Sequence, residues 1–144
     1  MTTDYEDIRH LIASVAHHID AKRWRELRAL YADEVATDYT SLFGGSPQRQ
    51  AADALRETWQ TVLARVATHH LLGPIDVELA GDTARARCHV RAMHVGSGAA
   101  DGSEWEVLGH YRFELVRGPS GFRITSMTLE TTHQTGNRKL LEQV

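Results

Sequence analysis

Apolar side chains recur near the start of the chain at Ile8, Leu11, Ile12, Val15 and Ile19. Steps of three and four residues put them on one stripe of an α-helix, with Thr3 or Asp4 as its N-cap and an end near Asp20. A second, short helix is expected to set Trp24, Leu27, Leu30 and Tyr31 on its inner side. Val35 to Tyr39 reads as a short extended piece, and Gly44, Gly45, Ser46 and Pro47 as a turn or loop. A third helix is predicted from about Ala51 to Val66, carrying Leu55, Trp59, Val62 and Leu63 near a period of 3.6.

The period then falls to two. Ile75, Val77 and Leu79 alternate with Asp76 and Glu78, and Gly81-Asp82 marks a hairpin turn. In the next strand Ala84, Ala86, Cys88, Val90, Ala92 and His94 share one face, while Arg85, Arg87, His89 and Arg91 share the other. A Gly-rich loop from Ser97 to Gly102 leads to a strand in which Trp105, Val107, Gly109, Tyr111, Phe113 and Leu115 alternate with Glu106, His110, Arg112 and Glu114. After the Gly118 to Gly121 turn, Phe122 to Leu129 is the last expected strand. Three helices followed by a meander of long antiparallel strands predict a single α+β domain over residues 1–144. The small inward residues Ala84, Ala86 and Ala92 fit either a concave sheet around a cavity or a closely docked helix. On the outer face, Arg85, Arg87 and Arg91 are placed to pair with Glu106 and Glu114, which suits a solvated surface or a polar subunit contact.

Composition narrows the class of protein. With 42% hydrophobic and 24% charged residues, 144 residues suffice for a core without metal or disulfide staples. A net charge of -3, with cations and anions interspersed, argues against nucleic acid and against a polybasic membrane patch. Cys88 is the only cysteine, so no internal disulfide forms, and a reducing compartment fits. The acidic start lacks the charge and apolar run of a secretory signal, which makes the cytoplasm the expected location.

Two residues stand where chemistry would need them. Asp20 closes the first helix and His70 follows the third, both positions from which a side chain can turn inward. If they meet, a carboxylate accepting from one imidazole nitrogen fixes the tautomer and leaves the other as a general base near neutral pH. Asp20 as a helix-end residue and His70 as a core histidine bonded to backbone fit the pattern as well. His17, His18, His69 and His89 read as surface or boundary positions. Nine histidines raise the question of a metal, but no His-x-x-x-His or Cys-x-x-Cys set is present. Cys88, mid-strand among alanines, reads as a buried structural thiol. Tyr39, Trp59, Trp105 and Tyr111 fit either a pocket lining or plain core, and His94, at the end of an apolar wall, fits a ligand contact or a rim histidine.

A set of ordered segments carries a resemblance over nearly the whole chain. Ala16 to Asp20 leads to Trp24 and Leu27; Asp38 to Gly45, Ala52 to Leu55 with Trp59, Thr68 to His70, Val77 to Ala84, Gly109 to Tyr111 and Gly121 to Ile124 follow in turn. In this the chain resembles the SnoaL-like branch of the nuclear transport factor 2-like superfamily. The resemblance implies a cone of three N-terminal helices packed in a strongly curved antiparallel sheet, assembled as a dimer or trimer. Relatives such as scytalone dehydratase and hexachlorocyclohexane dehydrochlorinase use an Asp-His pair as general base without a metal or organic cofactor. Asp20 and His70 match that pair by position, with His69 as the alternative if the register slips by one. Two departures are visible: Val15 stands where such relatives carry a polar helper, and Phe122 replaces a Trp. A missing helper calls for another donor, for which His94, Tyr39 and Tyr111 are the candidates.

The resulting expectation is a cofactor-independent lyase or isomerase acting on a small, largely apolar molecule in an enclosed pocket. Asp20 and His70 would do the chemistry, and Tyr39, Trp59, His94 and Tyr111 would contact the substrate. A pocket that binds without reacting, and an oligomerisation module, are the rival expectations for the same fold.

Overall fold

The computed structural model describes residues 1–144. Helix α1 (Asp4–Asp20) begins with a capping box, in which Thr3 accepts from the Glu6 amide and Glu6 accepts from the Thr3 amide. All five predicted stripe residues are buried along its inner face, joined by Ala16. Val15, one of them, fills core. Helix α2 (Trp24–Arg28) is shorter than expected, because Tyr31 already opens strand β1 (Tyr31–Asp38). Helix α3 (Thr40–Phe43) and strand β2 (Gln48–Ala51) flank the expected loop at Gly44 to Pro47. Helix α4 (Ala52–Val62) stops one turn before the predicted end; Leu63 and Val66 are buried all the same, from the turn that follows.

The sheet comprises β1, β2, β3 (Ala67–Leu72), β4 (Asp76–Ala80), β5 (Thr83–Val95), β6 (Glu104–Gly118) and β7 (Gly121–Gly136), and a last short helix α5 (Leu140–Gln143) follows it. Its order is β2-β1-β7-β6-β5-β3, with β4 also on β5. Strand β5 is long enough to pair with β4 through its first half and with β3 through its second. The meander is antiparallel as expected, but β1 lies parallel to β7 and joins the sheet ahead of α4. The helices are thus interleaved with two strands rather than grouped before the sheet. The sheet is curved and does not close. Irregular register at Leu108/Gly109 and Glu114/Leu115 marks β-bulges, which increase twist and bend the strands.

Inward residues of β5 and β6 form the core with α1, and Ala84, Ala86, Cys88, Val90, Ala92 and His94 are all buried as the alternation requires. Phe122 is buried as well, beneath the Arg117 guanidinium 4.5 Å from its ring centre. On the outer face Arg91 pairs with Glu106 at 3.1 Å and Arg85 with Glu114 at 4.0 Å. Arg87 departs from expectation and pairs with Asp76 of β4 at 3.1 Å.

Candidate active site

Asp20 owes its direction to the way α1 ends. The Arg23 amide donates to the His18 carbonyl and the Lys22 amide to the Ile19 carbonyl, while Lys22 takes a left-handed φ of 54°. This is a Schellman stop with a lysine where glycine is usual. The chain turns away sharply after Ala21, leaving Asp20 as the last helical residue with its carboxylate beside β3.

His70 lies within β3, not ahead of the sheet as expected. Thr68, His70 and Leu72 are half-buried on its inner side, whereas His69 and Leu71 are exposed. The alternation thus selects His70 over His69. Its Nδ1 is 2.6 Å from Asp20 Oδ1, its backbone N–H donates to Asp20 Oδ2 at 2.8 Å, and the Thr68 hydroxyl donates to Oδ1 at 2.8 Å. Burial pulls the Asp20 pKa upward, but the bonds from the His70 ring and backbone and from Thr68 outweigh it and hold the carboxyl below its ordinary value. An ionised carboxylate only accepts, so the proton of the bond sits on Nδ1, and the tautomer this selects carries its lone pair on Nε2. Ala92 is the partner of His70 across the strand pair, and its small side chain leaves room beside the ring.

The His70 ring forms part of the wall of a cavity of about 570 Å³, and 15 of its 27 lining residues are hydrophobic. Ile19, Leu55, Trp59, Val90, Val107 and Leu129 supply apolar wall; of the small inward residues of β5 Ala92 faces this cavity, while Ala84 and Ala86 are packed in the core away from it. It is not enclosed: exposed Phe43, Gly44 and Arg138 stand at its mouth. Tyr39, Trp59, His94 and Tyr111 all line it. Their polar groups differ. The Tyr39 hydroxyl is directed to Met127 Sδ at 3.5 Å, whereas the Tyr111 hydroxyl has no protein partner. His94 directs Nδ1 to the Trp105 carbonyl at 3.1 Å, and burial, only partly offset by that bond, brings its pKa down to about 4. A neutral His94 whose one proton is engaged in this way cannot act as the donor that the sequence suggested.

A larger cleft of about 670 Å³ lies outside the sheet among Lys22, Arg23, Arg25, Arg28 and Arg56, but only one of its lining residues is hydrophobic and it does not reach His70. Cys88 is buried, and desolvation pushes its thiol up to about 11. Nowhere do three His, Cys, Asp or Glu side chains gather in a way that could hold a metal ion. No helix is long and apolar enough to cross a membrane.

The model of the SnoaL-like domain matches residues 1–128. The chain belongs to the SnoaL-like domain family. Among solved structures, this SnoaL-like domain is similar to a protein from Kribbella flavida, with 29% identity, a TM-score of 0.90 and coverage of 96% of this chain and 97% of that one. A candidate scytalone dehydratase from Novosphingobium aromaticivorans is 20% identical with a TM-score of 0.77, over 90% of this chain and 85% of that one. A type 2 hexachlorocyclohexane dehydrochlorinase is 13% identical with a TM-score of 0.75, over 90% and 86%. These last two likenesses establish the fold, a nuclear transport factor 2-like cone. No curated protein matches the chain.

Two of the groups whose pKa the fold lowers, His94 and Asp20, give the site of this SnoaL-like domain a predictable acid response. His94 is held neutral in the fold, so its contribution to stability is complete above its ordinary value of 6.5 and is lost as the pH falls toward about 4. Asp20 is held ionised, so its contribution is present above its ordinary 3.8 and is lost only below that, as the pH passes its lowered folded value. Urea midpoints should therefore fall between pH 6.5 and 4 in the wild type, and fall less in His94→Phe. Parallel midpoint curves for the two proteins would show that His94 does not carry this response.

Proposed function

We propose that the protein is a cofactor-independent lyase or isomerase, in which His70 removes a proton from carbon in a small, largely apolar substrate. The observation that carries this reading is the 2.6 Å bond from His70 Nδ1 to a carboxylate itself held by two further donors, on the wall of an apolar cavity. Asp20 keeps the proton on Nδ1, so Nε2 meets the substrate as a base. Tyr111 is the hydroxyl available to stabilise an enolate oxygen or to protonate a departing hydroxyl. Burial raises its pKa well above the ordinary tyrosine value, with the Cys88 and Asp20 charges adding to the effect, so it meets substrate as a donor. An elimination of this type balances without an external reagent: the C–H electron pair forms the new double bond or enolate, and the leaving group takes a proton from the site. The dehydratase and dehydrochlorinase names of the structural relatives support this reading.

A panel of candidate substrates tests it. Incubation with hydroxylated and halogenated cyclic ketones in D2O should exchange C–H for C–D next to a carbonyl, or yield the eliminated product. His70→Ala should lower that rate by about two to four orders of magnitude while the protein stays folded. A variant with wild-type rates would exclude His70 as the base, and a panel untouched by wild type would favour a pocket that binds without reacting.

A further inference from the structure

His94 is not used by the mechanism above, yet its geometry is strongly constrained. A backbone carbonyl can only accept, so the 3.1 Å contact between Nδ1 and the Trp105 oxygen fixes the proton on Nδ1. The residue is only 8% exposed, its ring packs 4.5 Å from the Trp105 ring centre, and it stands edge-on to His70 with centres 6.1 Å apart. Its depressed pKa keeps a second proton off at neutral pH. No protein group donates to Nε2, and it is not sealed away, since the one sealed side-chain nitrogen or oxygen without a partner is His18 Nδ1. The ring that carries this lone pair is part of the cavity wall.

We propose that His94 is a specificity-determining residue whose Nε2 accepts a hydrogen bond from a hydroxyl on an otherwise apolar ligand, beside the His70–Asp20 pair. The proposal rests on the cavity being a ligand site, as in the function proposed above, but not on His70 acting as a base. A ligand with an ether, halide or bare ring edge at that point would leave a buried nitrogen lone pair without a donor. An unpaired buried group of this kind is costly, so the preference for hydroxyl over its methyl ether should be about tenfold or more.

The probes are 2-naphthol and 2-methoxynaphthalene, two neutral bicyclic molecules that differ in this one donor. By calorimetry the wild type should bind the naphthol about tenfold more tightly. His94→Phe keeps ring bulk but has no lone pair, and the preference should shrink to within about twofold. His94→Gln, whose amide oxygen reaches a similar place, should restore it. In the wild type, needing no variant at all, the His94 Nε2 resonance should shift on adding the naphthol and not on adding the ether. Equal affinities in the wild type, a preference kept by His94→Phe, or an unmoved Nε2 resonance would overturn the proposal. Binding of neither probe would overturn it together with the reading of the cavity as a ligand site. His70→Ala should keep the naphthol preference, so a failed general base leaves this inference standing.

Discussion

Asp20→Asn is expected to lower the turnover proposed for this site by about three orders of magnitude and to leave a folded protein. The reason lies in how the three bonds divide over two oxygens. Oδ2 accepts the His70 amide, and Oδ1 accepts both the His70 ring and the Thr68 hydroxyl. An asparagine has one oxygen and one NH2 for these two sides. With its oxygen on the backbone amide, the NH2 faces Nδ1 and the imidazole answers by moving its proton to Nε2, which removes the base from the cavity. With the amide reversed, NH2 meets the backbone N–H of His70 and loses that anchor. Ring-nitrogen NMR of His70 should report the tautomer exchange, and thermal unfolding should show a loss of about 1–3 kcal/mol from the unmet bonds. Full activity with the proton moved to Nε2 would mean that catalysis does not use this nitrogen.

That pair is half legible in the chain. Asp20 sits where the apolar stripe of α1 runs out, and helix period alone places it at an end. His70 is harder to place, because β3 reads Ala-Thr-His-His-Leu-Leu: its inward residues Thr68 and His70 are polar, and a strand whose inner face serves a site carries no apolar alternation. Without that alternation the segment reads as a link before the sheet. In contrast β5 and β6 bury every second residue over most of their length, and their faces follow directly from period two.

What stays hidden has a common cause. The parallel pairing of β1 with β7 joins segments far apart in the chain, and local period records which face is buried but not against which partner. Strand β2, Gln-Arg-Gln-Ala, is a mostly exposed edge piece with almost no hydrophobic signal. Apolar spacing carries α4 on through Leu63 and Val66, yet those two side chains reach the core from a turn rather than a helix. The engagement of the His94 proton by a carbonyl across the strand pair likewise needs the register of β5 on β6, which no residue pattern states.

Gly109→Ala is expected to be strongly destabilising. Gly109 lies on β6 between Val107 and Tyr111, at the bulge where the register with β7 slips past Thr132. A β-carbon there would stand 2.2 Å from the Glu130 carbonyl oxygen and 3.2 Å from the Thr131 Cα, so backbone, not a yielding side chain, would have to move. Overpacking of this kind costs about 3 kcal/mol, which at this chain length lowers the Tm by roughly 10 °C. Gly118→Ala is the matched control: its new methyl would lie 3.6 Å from the Gly121 oxygen, ordinary contact distance, and the change should stay within about 1 kcal/mol. Because Trp105 and Tyr111, on either side of Gly109 in β6, both line the cavity, Gly109→Ala should also weaken binding of the naphthol probe at temperatures where the variant is still folded. Equal melting points for the two alanine variants would show that the strands can separate freely here, and the curvature of the sheet would then need another cause.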